Sequence, residues 1–521
     1  MTTYTGTWRL TRTALRRDRL LATVWMLLLV AVVYASAAAT DSLYPTTADR
    51  IDAAEAINSS PALVALYGPI LDVRSEGELA MTKLTVLYAV FAALLFLVLV
   101  RRHTRTEEES GRAELLGGTA IGHDAQLAAA VLESVLVALA LGVLCVVACV
   151  GGGLPVAGSF AFAASWVGIG WVAIGLTAVA CQVSASSRTC AALAGAGIGL
   201  LYALRVIGDT DPGWLSWLSP FGWSTRVRAW SDPRWWVLLL DLALGVCLLA
   251  AAVALRRARD LGAGLVAPRP GPANGSPRLA DALVLTWRVH RTMLGAWTVG
   301  VAALGLVMGA IAPGVGDLLD TEAGRKVIES LGGTGALEDA LIAAVLSIAG
   351  VLVTGFAVAV VGHGAGDEHD GRTEQVLATA TSRSGTFLAT TAVALGGATW
   401  LLLVTGVGAA LGFGGHLGRL VGAALDQSFA VWAVAGLALL LYAAGSRFAV
   451  AGWAALAGFF ALGQLGELLD LPGAVTGLSP YTHLPAMPVE GFAPAPALAL
   501  TAVAAALTAA AWWRFRERDI G

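Results

Sequence analysis

A chain of 521 residues that is 57% hydrophobic and only 13% charged, with a mean hydropathy of +0.74, carries too little polar surface to cover a soluble globule. These figures exclude an ordinary water-soluble enzyme and point to a polytopic membrane protein. A nucleic-acid binder is excluded too, because the net charge is −3 and the 33 basic residues gather at the ends of apolar runs rather than along one face.

A spanning helix takes about 20 mainly apolar residues. Residues 20–39, 81–100, 127–150, 159–180, 190–207, 235–255, 294–312, 338–362, 386–412, 426–444, 449–469 and 494–513 meet that requirement and predict twelve spans. The first run is longer than a signal-peptide core and many spans follow it, so it reads as a retained helix. Ahead of it, Trp8 to Arg17 mixes aromatic, apolar and basic residues and is expected to lie in the membrane interface as an amphipathic helix. Residues 281–293, with Trp287, Arg288 and Arg291, repeat that pattern. The five cysteines are odd in number and partly buried in apolar runs, which is not a disulfide framework.

Between the second and third runs stands an acidic stretch, Glu107-Glu108-Glu109-Ser110-Gly111-Arg112-Ala113-Glu114-Leu115-Leu116. Thr106 and Glu109 have capping-box spacing, the glutamates favour a helix N-terminus, and Gly117-Gly118 ends a short helix. A related stretch, Asp367-Glu368-His369-Asp370-Gly371-Arg372-Thr373-Glu374-Gln375-Val376-Leu377, follows the eighth run. Gly111, Arg112 and Glu114 map onto Gly371, Arg372 and Glu374 with a constant offset of 260 residues. A charged segment repeated in equivalent positions suits docking to another protein better than an idle solvated loop.

The duplication extends further. Ser187-Arg188 matches Ser446-Arg447, and Leu218-Ser219-Pro220-Phe221 matches Leu478-Ser479-Pro480-Tyr481. Arg257-Ala258-Arg259-Asp260-Leu261-Gly262 matches Arg516-Glu517-Arg518-Asp519-Ile520-Gly521. The chain thus reads as two tandem six-helix halves, 1–262 and 281–521, joined by a Pro/Gly-rich linker over 263–280. With six spans each, the halves are parallel repeats about an axis along the membrane normal. Arginines cluster before span 1, after spans 2, 6 and 12, and in the linker, whereas the first outer loop is acidic. The positive-inside rule therefore predicts both termini in the cytoplasm of a multi-pass cell-membrane protein.

Three further features bear on mechanism. Ser219, Pro220 and Phe221, like Ser479, Pro480 and Tyr481, sit in outer segments; the first is rich in tryptophan and is expected to form a re-entrant pair of short helices broken at Pro220, acting as an outer gate. Glu133 and Asp241 lie inside spans and are candidates for the substrate pathway, with neutral counterparts at Val393 and Thr501; Arg205 and Glu467 lie near span ends. The group His363, Asp367, Glu368, His369 and Asp370 resembles a metal cluster, but the first copy has His103 and glutamates and no matching pair of histidines, so no metal site is expected. No Gly-x-x-x-x-Gly-Lys-Ser/Thr occurs, which leaves the chain without a P-loop of its own.

Taken together, six spans per half, the pre-span amphipathic segments, the acidic Gly-Arg-x-Glu stretch and the Ser-Pro-aromatic segment resemble an ABC-2 type (type V exporter-like) permease. The tandem form is similar to actinobacterial permeases of tetronasin-like or polyketide-antibiotic exporters. The resemblance implies an all-α fold and a hydrophobic or amphipathic small-molecule substrate. It also implies a separate ABC ATPase subunit in two copies, carrying ATP and Mg, with no cofactor on this chain. That partner would dock on Glu107, Glu108, Gly111, Arg112 and Glu114 and on Asp367, Glu368, Gly371, Arg372 and Glu374. The alternatives are a proton-coupled secondary multidrug transporter and a non-transporting scaffold for an ATPase.

Overall fold

The computed structural model describes residues 3–59, 61–210, 213–267, 274–314, 334–465 and 472–520. Among these residues all regular structure is helical, and twelve helices are long and apolar enough to cross a membrane. They are span 1 (Thr7–Thr40), span 2 (Glu76–Glu109), span 3 (Ala125–Gly151), span 4 (Val156–Val183), span 5 (Ser187–Asp209) and span 6 (Trp235–Arg257). The second set is span 7 (Ala282–Ile311), span 8 (Glu338–His369), span 9 (Arg383–Phe413), span 10 (Leu417–Ala444), span 11 (Ser446–Gly463) and span 12 (Pro494–Glu517). Each falls on one of the apolar runs, and the chain is an all-α polytopic membrane protein. Leu27, Leu28, Val143, Val147, Leu239 and Val299 stand exposed on span surfaces, as a lipid solvent requires.

The separate interfacial helices expected before spans 1 and 7 are not found. Thr7–Leu43 and Ala282–Ile311 are each one uninterrupted helix. Thr7–Leu43 contains neither glycine nor proline, so nothing stops the hydrogen-bond ladder before the apolar run begins.

Contacts divide the chain into two units, Met1–Gly271 and Pro272–Gly521. Residues 268–273 of the linker, and Glu467, lie outside the described residues. In the first unit span 4 is the hub and packs against spans 2, 3, 5 and 6. A π-helical turn at Leu84–Tyr88 disturbs the regular ladder of span 2, and the buried Trp166 indole of span 4 donates to the Leu84 carbonyl at 3.1 Å. Phe96 fills the hollow over Gly170, where a Cβ would stand 2.5 Å from its ring.

In the second unit spans 7 and 9 approach backbone to backbone. A Cβ at Gly305, Gly309, Gly408 or Gly412 would come within 2.0–2.7 Å of facing main-chain atoms. Small residues spaced four apart on both helices permit this contact, which relies on packing because lipid offers no hydrophobic drive.

Candidate functional site

The repeated acidic stretches form two elbows of the same design. In the first, span 2 loses helical geometry at Thr104 (φ −116, ψ −88), resumes over Arg105–Glu109, turns at Gly111 (φ 73) and continues as the short helix Arg112–Gly117. In the second, the helix ending at His369 turns at Gly371 (φ 71) into Arg372–Leu377. A Cβ at either glycine would meet nothing within 4 Å. Glycine is therefore needed for the left-handed backbone, which costs other residues about 1–2 kcal/mol, and not for space.

An ion pair braces each turn across its glycine. Arg112 Nη1 lies 3.3 Å from Glu107 Oε1, and Arg372 Nε lies 2.7 Å from Asp367 Oδ1. Arg372 also reaches Asp370 at 2.7 Å, and the hydrogen bond to Asp367 helps hold its guanidinium above the usual arginine value.

A second pair fastens each elbow to the residues after the last span of its own unit. Arg259 grips Glu108 in bidentate fashion, with both N···O distances at 2.9 Å, and Arg518 pairs with Glu368. These arginines and glutamates occupy corresponding positions in the repeat. Bidentate arginine–carboxylate contacts are both strong and directional.

The first elbow is fastened further. Arg105 Nη1 adds a 2.9 Å contact to Glu108, and its guanidinium also donates to the carbonyls of Cys181, Gly262 and Ala263. Arg17 of span 1 meets Glu107 at 2.7 Å. Thr106 and Glu109 do not form the predicted capping box. Glu109 instead accepts from the backbone N–H of Ser187 at 3.1 Å, satisfying the start of span 5, and the Thr106 hydroxyl bonds to the Ser187 hydroxyl.

The acidic face expected to dock is thus divided. Glu107 and Glu108 are buried and engaged within their own unit, and the Glu368 side chain is likewise turned inward. Arg112, Glu114 and Leu115 are exposed in the first elbow, and Arg372, Glu374 and Gln375 in the second. Leu115 is 76% exposed, which singles it out as an apolar tip. The clamp arginines were absent from the set of site residues drawn from sequence. Their signal was available in the matching Arg-x-Arg-Asp tails.

The two Ser-Pro segments also repeat a bond. The buried Ser219 hydroxyl donates to the Leu201 carbonyl of span 5 at 2.6 Å, and the buried Ser479 hydroxyl to the Phe459 carbonyl of span 11 at 2.9 Å. Local shapes differ. Pro220 opens the helix Pro220–Arg226 with Ser219 as its N-cap, whereas Pro480 opens only the 3₁₀ turn Pro480–His483. Phe221 packs edge-on against Tyr202, and the Tyr481 hydroxyl pairs with Thr354 of span 8 at 2.7 Å.

The two membrane carboxylates have different surroundings. Asp241 of span 6 is buried against Gly168 of span 4, where an added Cβ would stand 2.9 Å from the carboxyl carbon. Glu133 of span 3 is fully buried, 3.3 Å from His103 Nε2. Arg205 is satisfied by Asp209 at 2.7 Å and by the carbonyls of Val64 and Ala65. In the group around His363, His363 Nε2 lies 3.8 Å from Asp367 Oδ2, Arg372 engages Asp367 and Asp370, and Arg518 engages Glu368.

Comparison with known proteins gives this arrangement its relatives. A sequence profile described as the C-terminal domain of the multidrug efflux system permease Rv1217c matches residues 279–516. The multidrug efflux system permease protein Rv1217c of Mycobacterium tuberculosis is 40% identical over 528 residues, spanning 99% of this chain and 96% of that protein. Similarity of this extent runs through both units, and the chain belongs to the family of multidrug efflux system permeases.

Proposed function

We propose that this chain is the transmembrane subunit of an ATP-driven ABC exporter that expels hydrophobic or amphipathic compounds, and that a separate ATPase dimer engages its two elbows. The observation that carries this reading is the duplicated elbow itself. Both copies have a left-handed glycine, a brace across it, a clamp to the unit's own tail and an exposed tip. Two tips built on the same turn suit a partner with two equivalent surfaces, as a nucleotide-driven dimer has.

On this reading ATP and Mg belong to the partner, and this chain performs no hydrolysis. Arginine bias favours a cytoplasmic side for the elbows and both termini. An apolar cargo agrees with the groove of about 670 Å³ in the first unit, lined by Leu21, Trp25, Leu28, Tyr88 and Phe91. The Ser219 and Ser479 bonds then serve as latches on the outer gate. ATP binding opens that gate only if the two states of the partner differ in their grip on the elbows.

The test reverses charge at the exposed tips and leaves the buried pairs alone. Glu114→Arg combined with Glu374→Arg should abolish co-purification with the ATPase and substrate-stimulated ATP hydrolysis, while membrane insertion and yield stay normal. Retention of both activities in that variant would sink the docking role.

A further inference from the structure

We propose that Asp18, His103 and Glu133 form a buried divalent-cation site of the zinc class, which pins spans 1, 2 and 3 together beneath the first elbow. The three donors come one from each helix, and one ligand atom of each lies within 4.8 Å of the others. His103 Nε2 is 2.8 Å from Asp18 Oδ2 and 3.3 Å from Glu133 Oε2. Metal–ligand bonds of about 2.0–2.2 Å place neighbouring donors about 2.9 Å apart in an octahedral shell and about 3.5 Å apart in a tetrahedral one. The two measured separations fall close to this interval, so one ion fits among the three atoms with small adjustments.

Hydrogen bonding alone leaves this cluster incomplete. Glu133 is 0% exposed, and neither of its carboxylate oxygens has a hydrogen-bond partner among the described residues. A single imidazole N–H cannot serve two carboxylates well, and a buried carboxylate without a partner is costly. Arg102 contacts the pair through Asp18, its Nε 3.0 Å from Oδ1, while the nearby Arg17 is engaged by Glu107 at 2.7 Å. A divalent cation held by both carboxylates and a neutral imidazole would offset the two carboxylate charges directly. Arg102 then acts as an outer partner that orients a ligating carboxylate, a recurrent feature of metal sites.

Donor chemistry narrows the ion. One imidazole nitrogen and two carboxylate oxygens suit zinc or a neighbouring divalent transition metal better than calcium, which takes six to eight oxygens. His103 also lines a cavity of about 390 Å³ with Arg17, Glu107, Arg112 and Leu116, which offers a route from the elbow to the site and room for a water as a further ligand. The second unit does not share the site, since Glu133 corresponds to Val393. The proposal stands independently of the ATPase reading.

The test uses the full-length protein in detergent, stripped with a chelator and titrated with zinc alone. One zinc per chain is expected, with His103→Gln and Glu133→Gln each weakening binding by about a hundredfold or more. Arg102→Gln should weaken it by about tenfold to a hundredfold, and His363→Gln should leave it unchanged. X-ray absorption on the wild-type zinc form should show nitrogen and oxygen ligands with a single imidazole, a readout that holds even if the variants fold poorly. Failure of the wild type to retain zinc, sulfur or multiple imidazoles in its shell, or undiminished binding by folded His103→Gln and Glu133→Gln proteins would each overturn the site.

Discussion

The two elbows share a turn and differ in how firmly they are fastened. Glu108 of the first faces Arg105 and Arg259 at 2.9 Å and Arg256 at 3.9 Å, while Glu107 is held by Arg17 and Arg112. At the second, Arg518 is the one arginine paired with Glu368 among the described residues, with the Tyr442 hydroxyl as a further partner, and Asp367 and Asp370 pair with Arg372, which is itself largely exposed. The position of Arg105 is taken by Ala365 in the second copy, which removes a buried cation at its source. The difference teaches that the repeat preserves the shape of the turn more strictly than its anchorage. The first elbow is held to the core of its unit by several buried cations; the second is held by one buried arginine and an exposed internal brace.

The largest expected effect breaks the anchorage. Glu108→Gln leaves buried guanidiniums without their carboxylate and should cost about 3–5 kcal/mol. Glu368→Gln faces one arginine and should cost about 1.5–3 kcal/mol. Amide exchange over residues 105–117 and 366–377 reads the two sites separately, and equal loosening at both elbows would contradict the asymmetry.

A smaller effect should be symmetric. Gly111→Ala and Gly371→Ala meet no steric obstacle, so each should cost only the left-handed backbone penalty of about 1–2 kcal/mol, with asparagine milder than alanine. If the two alanine variants differ by more than their error in thermal unfolding, the turns are not equivalent.

The smallest effect concerns the approach to the third span of each unit. Asp124 precedes span 3; burial raises its carboxyl, but hydrogen bonds from His123 and Arg257 outweigh this and hold it below the usual carboxylate value. A lowered value in the folded state means the contribution is complete above the ordinary carboxylate range and disappears as pH falls through the folded value. Span 9 uses Ser382 instead, whose hydroxyl accepts from the Gly385 N–H and does not titrate in this range. Asp124→Asn should therefore lower the unfolding temperature at neutral pH and narrow its gap to wild type on acidification. A gap that does not change with pH would assign the residue a purely steric role.

Much of this was legible in sequence, for physical reasons that also mark the limit. Twelve runs of apolar residues declare themselves because lipid demands them, and Gly111 and Gly371 stand out because few residues accept their backbone. Glu108 and Arg259 each belong to a visible repeat, yet they are 151 positions apart, and nothing local says that one grips the other. The same holds for Asp18, His103 and Glu133, which lie on three helices and are surrounded in sequence by ordinary basic or apolar neighbours. Charged residues at span ends look alike until packing decides which are buried. The amphipathic start of span 1 was misread because its composition reports polarity, whereas continuity depends on the absence of a breaker.

That continuity has a mechanical consequence. Thr7–Leu43 comprises 37 residues and, at about 1.5 Å each, makes a stiff rod about 55 Å long. Arg17 attaches the first elbow to this rod near one end, through its 2.7 Å contact with Glu107. Packing against span 3 supplies a fulcrum. A sideways load on the elbow then becomes a lever stroke at the far end, with no joint along the way to absorb it.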